Sequence, residues 1–172
     1  MFNKFKIILT VVVLFAGILI ISSAEKNTGD RQITSVSEPS NMAKEEFLNS
    51  EMFKKNKLVL INFWATWCRP CLNEMGSLNR LMSLKKEKGF SIIGVNADYE
   101  NQEALVKKTN KQYGIAFKTV LDKKGKLVDA FKVTGLPTSF LVKNGKVIRT
   151  IKGEFNYDSP EFLSDIDIRL SN

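Results

Sequence analysis

The sequence predicts an α/β fold, a central mixed β-sheet with helices on both faces, preceded by an N-terminal hydrophobic helix. Three observations carry this. Leu58-Val59-Leu60-Ile61-Asn62-Phe63-Trp64 is a nearly continuous apolar run of the kind a central strand shows when both its faces are buried. Leu72, Met75, Leu78, Leu81 and Met82 then recur at helical spacing, and Phe90 to Ala97 is apolar again. A helix between two buried runs makes the second strand parallel to the first. Further on, Lys143-Asn144-Gly145-Lys146 sets Asn-Gly between two β-rich runs, the signal of a tight hairpin and so of an antiparallel strand.

Taken in order, residues 1–24 are a targeting segment: Lys4 and Lys6 precede an apolar run from Ile7 to Ile21, followed by Ser22-Ser23-Ala24. At about 15 residues the run is short of the roughly 20 that span a bilayer comfortably, so two readings stand, an uncleaved signal-anchor first and a signal peptide cut after Ala24 second. Either way the lysines stay on the cytoplasmic side and the rest of the chain lies outside the cytoplasm. No cysteine follows the run, which argues against a lipoprotein anchor. Residues 25–40 are polar, with Gly29, Pro39 and several Ser and Thr, and read as a flexible linker. Residues 41–172 form the folded domain.

Within that domain, Ser40 or Asn41 caps a helix from Met42 to Lys55 that packs Phe47, Leu48, Met52 and Phe53 on the sheet. After the first strand, its helix and the second strand, Asn101 to Tyr113 is a second crossover helix and Phe117 to Leu121 a third strand. Asp122-Lys123-Lys124-Gly125 is a turn, and Leu127 to Val133 a short helix or irregular segment. Ser139 to Val142 and Val147 to Ile151 form the hairpin, and Ser159 or Asp158 with Pro160 opens a last helix to Leu170.

The two cysteines, Cys68 and Cys71, stand three apart where the first strand runs into its helix. Cys71 falls in the first turn and Cys68 at its mouth, where unpaired backbone N–H groups and the helix dipole favour a thiolate, the form that attacks a disulfide. Arg69 adds positive charge beside it. Pro70 gives up an N–H that has no helical partner in a first turn and stiffens the link between the sulfurs. Cys71, further in, is the resolving thiol for a mixed disulfide formed by Cys68. A zinc site would need further ligands, and the chain has no other cysteine and no histidine. A purely structural disulfide across so short a loop would remove little unfolded-state entropy, roughly 2 kcal/mol.

The charge is basic, 26 Lys and Arg against 18 Asp and Glu, a net charge of +8. The lysines are scattered over element ends and turns, as on a solvated surface or one drawn to anionic lipid. A concentrated stripe with interleaved aromatics is absent, which argues against nucleic-acid binding.

Phe63-Trp64-Ala65-Thr66-Trp67-Cys68-Arg69-Pro70-Cys71, followed by Gly135-Leu136-Pro137-Thr138-Ser139-Phe140 and Asn144-Gly145, resembles the thioredoxin superfamily, and within it the TlpA/ResA-like branch of membrane-tethered extracytoplasmic thiol-disulfide oxidoreductases. The likeness covers residues 42–172. Asn62 stands where thioredoxin has a buried aspartate, Glu74 matches an acidic residue of ResA-like proteins, and residues 98–113 match the branch's extra helix. Gly76 replaces a kink-forming proline found in many relatives, and Arg69 replaces a glutamate often found between the cysteines. The resemblance implies a thioredoxin-like fold and a cis Leu136-Pro137 peptide facing the cysteines, where an extended substrate pairs with the Leu136 backbone. Glu74 is either an exposed glutamate near a helix N-terminus or, if partly buried, a proton relay for Cys71 with a raised pKa. Trp64 and Trp67 are expected to pack around the site first and to contact substrate second.

These readings converge on a thiol-disulfide oxidoreductase, a reductase whose redox-active Cys68–Cys71 disulfide needs no metal or organic cofactor. The expected partners are protein disulfide substrates, with Trp67, Arg69, Pro70, Leu136 and Pro137 as the contact surface, and a membrane thiol electron donor. Resemblance adds apocytochrome c during cytochrome c maturation. The rivals are a disulfide oxidase or isomerase, a peroxiredoxin-like peroxidase, whose reactive cysteine lies in a different context, a copper-binding factor, which lacks its histidine here, and a tethered binding or holdase module.

Overall fold

The computed structural model of the protein describes residues 44–99 and 102–171. The targeting segment, the linker and residues 41–43 of the expected first helix lie outside the described residues. No helix among the described residues is long and apolar enough to cross a membrane.

The apolar run becomes β1, Leu58–Trp64, and every residue of it is buried. It lies at the centre of a five-stranded sheet with β2 (Phe90–Asn96) parallel on one side and β4 (Thr138–Lys143) antiparallel on the other. β3 (Lys118–Leu121) pairs parallel to β2, and β5 (Lys146–Lys152) pairs antiparallel to β4, giving the order β3-β2-β1-β4-β5. Asn144 and Gly145 both take positive φ, 50° and 71°, as a tight hairpin between right-twisted strands requires.

Alternation along β1 sorts the core into two layers. Leu58, Leu60 and Trp64 pack with Met75, Leu78 and Leu81 of α3 (Arg69–Lys85) and with Phe162, Ile166 and Leu170 of α6 (Pro160–Ser171). Val59, Ile61 and Phe63 pack on the opposite face with Phe47 of α1 (Lys44–Leu48), Phe53 of α2 (Glu51–Lys54) and Leu127 of α5 (Lys126–Ala130). Helix α4 (Glu103–Gln112) contributes Val106 to the first layer. Ser159 accepts a hydrogen bond from the Phe162 N–H at 3.3 Å and so caps α6 as expected.

The first helix differs from expectation. Instead of one helix to Lys55 there are two, α1 and α2, separated at Asn49-Ser50, where Ser50 is extended. Ser50 stands as the N-cap of α2 without a side-chain cap, its buried Oγ having no hydrogen-bond partner among the described residues. The break lets Phe47 and Phe53 meet edge to face at 5.2 Å, so the four expected apolar residues still pack on the sheet.

Gly94 of β2 sits where another strand residue would not fit. A Cβ there would lie 3.0 Å from both Phe117 Cε2 and Trp64 Nε1, and that indole N–H has no hydrogen-bond partner among the described residues. Gly94→Ala should therefore destabilise the domain by about 1–3 kcal/mol in urea unfolding, as overpacked cores do. A loss below about 0.5 kcal/mol, the range of surface changes, would show that the two rings move aside at little cost.

Candidate active site

Cys68 is the N-cap of α3 and Cys71 lies in its first turn. The two sulfurs form a disulfide, and Cys68 Sγ accepts a hydrogen bond from the Cys71 backbone N–H at 3.3 Å. The unpaired amides of the helix start are thus aimed at Cys68, which stabilises negative charge there once the disulfide opens. Cys71 is completely buried and Cys68 nearly so. Helix α3 continues through Gly76 to Lys85 without a break.

Around the sulfurs, Trp67, Arg69 and Pro70 are exposed. Trp64 packs in the core as expected, but Trp67 is 72% exposed, which corrects the expectation that it serves packing first. The loop from Ala65 to Cys68 joins the end of β1 directly to α3. Its backbone is held by Asp98, whose two carboxylate oxygens accept from the Thr66 N–H at 3.1 and 3.2 Å, while Asn96 Nδ2 donates to Asp98 at 3.0 Å. Leu136-Pro137 is a cis peptide, and Leu136 packs against the cluster that contains both cysteines. Trp67 and Leu136 also share the lining of a cavity of about 360 Å³ with Tyr99 and Val128, so two of the five residues expected to contact substrate lie on one surface, while Arg69, Pro70 and Pro137 are not part of that lining.

Glu74 takes the buried alternative, with 2% of its surface exposed. Its Oε1 accepts from Asn62 Nδ2 at 2.7 Å and its Oε2 from the Phe155 N–H at 3.2 Å. Asn62 reaches it because position 62 falls on the face of β1 that α3 covers. The same amide donates to Ser139 Oγ at 3.0 Å from the residue directly opposite on β4, and the Tyr157 hydroxyl donates to Ser139 Oγ at 2.8 Å. Burial pushes the Glu74 carboxyl up from 4.5 to about 7 and outweighs the two hydrogen bonds, which favour the anion; Glu154 nearby adds to the rise. Burial, with Glu74 second, also raises the Tyr157 hydroxyl, which stays a neutral donor. A carboxyl balanced near neutrality one turn from Cys71 can take or return a proton.

The structure places Cys68, Cys71 and Glu74 within the start of α3, with Asn62 of β1 bonded to Glu74; the other members of the network were not expected. Asn62 carried a signal, a lone polar residue in an apolar run on the helix-covered face. Ser139, Phe155, Tyr157 and Asp98 carried none, since they reach the site from 32 to 81 residues away.

A mixed five-stranded sheet, a disulfide at the start of the first long helix and a cis-proline loop beside it define a thioredoxin-like protein with a redox-competent disulfide. The chain belongs to the AhpC/TSA family, whose model matches residues 31–151. It is 48% identical over 101 residues to the thiol-disulfide oxidoreductase ResA of Bacillus thuringiensis, a match covering 58% of this chain and 57% of that protein. With the ResA of Geobacillus kaustophilus it shares 36% over 108 residues, 62% of this chain and 61% of that one. The match thus spans about three-fifths of these relatives' length. Among solved structures, a protein described as a DsbE-type thiol:disulfide interchange protein from Chlorobium tepidum superposes with a TM-score of 0.61 at 33% identity, covering 68% of this chain and 82% of that one. A thiol-disulfide oxidoreductase from Bacteroides fragilis gives 0.56 at 27%, covering 71% and 86%.

The raised Glu74 carboxyl fixes a pH dependence. Folded, Glu74 holds its proton up to about 7; unfolded, it loses it near 4.5. Stability from this group is therefore fully present below 4.5 and is lost as pH rises through about 7. The chain has no histidine to titrate in that window. Urea unfolding of the disulfide form should show a decline on the order of 3 kcal/mol across it. Glu74→Gln should flatten that slope; an unchanged slope in the variant would place the titration elsewhere.

Proposed function

We propose that this protein is an extracytoplasmic thiol-disulfide oxidoreductase that reduces protein disulfides. The observation that carries the reading is the Cys68–Cys71 disulfide at the start of α3, with an amide hydrogen bond on Cys68 Sγ and the near-neutral Glu74 carboxyl one turn beyond Cys71. In the dithiol form Cys68 thiolate attacks a substrate disulfide and displaces one substrate thiolate. Glu74 accepts the Cys71 proton, and Cys71 thiolate attacks Cys68 Sγ, releasing the second substrate thiolate and closing the protein disulfide. Two electrons pass to the substrate, and a membrane thiol donor returns them. The cycle needs no metal or organic cofactor, and nucleic acid has no part in it.

The extracytoplasmic location rests on Lys4, Lys6 and the apolar run from Ile7 to Ile21, as an anchor or a cleaved signal. The reductive direction and apocytochrome c as a substrate rest on the resemblance of the Phe63–Cys71 and Gly135–Phe140 motifs to the TlpA/ResA-like branch. An oxidase or isomerase differs only in potential, since about 30 mV is worth 1.4 kcal/mol. Trp67 and Leu136, on one surface beside the disulfide, suit an extended polypeptide substrate.

Insulin reduction tests the activity. Cys68→Ser should abolish it, and Cys71→Ser should accumulate a mixed disulfide with substrate; full turnover by Cys68→Ser would reduce the protein to a binding module. The potential decides direction. A value near or below about −270 mV, that of thioredoxin, is expected, whereas one near −120 mV, that of the strong oxidant DsbA, would make the protein a disulfide donor.

A further inference from the structure

The relay role of Glu74 raises a question of access. A carboxyl that takes a proton from Cys71 in each cycle must pass it on, yet Glu74 is almost sealed from solvent. One route leads outward. Glu74 lines a groove of about 580 Å³ whose other walls include Asn73, Arg80, Glu154 and Phe155. The segment after β5 brings three consecutive residues to it, Glu154, Phe155 and Asn156, after turning at Gly153 with φ of 80°. The Phe155 N–H fixes Glu74 Oε2, and Asn73 Nδ2 donates to Glu154 Oε2 at 3.1 Å, so the same α3 turn that carries the buried carboxyl anchors the exposed one.

We propose that this groove is the proton port of the redox pair, with Glu154, anchored by Asn73, as the positioning residue that passes the Glu74 proton to and from solvent. The proposal rests on the relay reading of Glu74 given above. The other charged or titratable groups around Glu74 do not compete for the task. Arg80 on the groove wall is engaged by Asp158. Tyr157, on the inner side, donates to Ser139 and stays protonated, and Arg149 beyond it is paired with Asp165. Cys71 is one turn back on α3, where it gives up its proton. In the reducing direction the proton leaves Cys71 Sγ for Glu74, the Cys71–Cys68 bond forms as the Cys68–substrate bond breaks, and the Glu74 proton exits past Glu154 to water. Re-reduction by the donor dithiol runs the same transfers in reverse.

Glu154 is exposed and its substitution should leave the fold intact. In the reduced full chain, the Glu74 carboxyl is followed by carbon NMR against pH, and the resolving step by stopped-flow decay of a mixed disulfide with a small aromatic thiol. In Glu154→Gln the ratio of protonated to ionised Glu74 at neutral pH should fall by up to about fivefold, the scale of an exposed charge interaction, and Glu154→Asp should restore it. The resolving step of Glu154→Gln should slow and recover with sodium formate, a small carboxylate that fits the groove, beyond any effect of equal sodium chloride; the unsubstituted protein should not respond. A Glu154→Gln protein that titrates and resolves like the parent overturns the port. If Glu74→Gln slows resolution while Glu154→Gln does not, the relay stands and the port falls; if Glu74→Gln resolves at the parent rate, the relay itself fails.

Discussion

The burial of β1 on both faces is the constraint on which the structure depends. A strand with a parallel neighbour on one side, an antiparallel one on the other and a helical layer above and below has no freedom of register. A slip by one residue would move Asn62 from beneath α3 into the opposite layer and put Phe63 where Glu74 needs a donor. The strand thereby fixes two things at once: where its last residue hands over to the Cys68 loop, and which polar side chain meets the helix that follows.

That meeting sets two opposing effects against each other. Burying a carboxylate costs several kcal/mol, and a salt bridge could offset it, but none is present at Glu74 among the described residues. Two neutral donors, an amide and a backbone N–H, offset only part of the cost. A cation would have made Glu74 a permanent anion, and no donors at all would have left it a permanent acid. Asn62 in place of a carboxylate is consistent with the same balance, because two buried acids in contact would share one proton between them.

Much of this was legible in the chain. β1, the long helix after the cysteines, the Asn144-Gly145 hairpin and the layer order follow from apolar period and turn chemistry, which act locally. The split between α1 and α2 was not legible, since apolar spacing runs on through Asn49-Ser50, and the Phe47–Phe53 contact that goes with the break is a tertiary one. At the site, the cysteines announce themselves by spacing, and Glu74 by the resemblance to ResA-like proteins. Trp67 was misjudged because an aromatic residue beside a buried pair looks like packing, while the structure leaves it exposed between buried Ala65 and Cys68. Asp98, Ser139, Phe155 and Tyr157 join the site through tertiary contacts that no local pattern encodes.

The far edge of the sheet has its own meaning. β5 ends the sheet on one side, and its exposed positions are Lys146, Ile148, Thr150 and Lys152. Lysines at both ends of an unpaired strand discourage other chains from extending the sheet there. For the extended polypeptide substrates proposed above, whose backbone groups could pair with an open strand, such an edge would guard against co-aggregation: it disfavours a substrate zipping onto the sheet as a sixth strand.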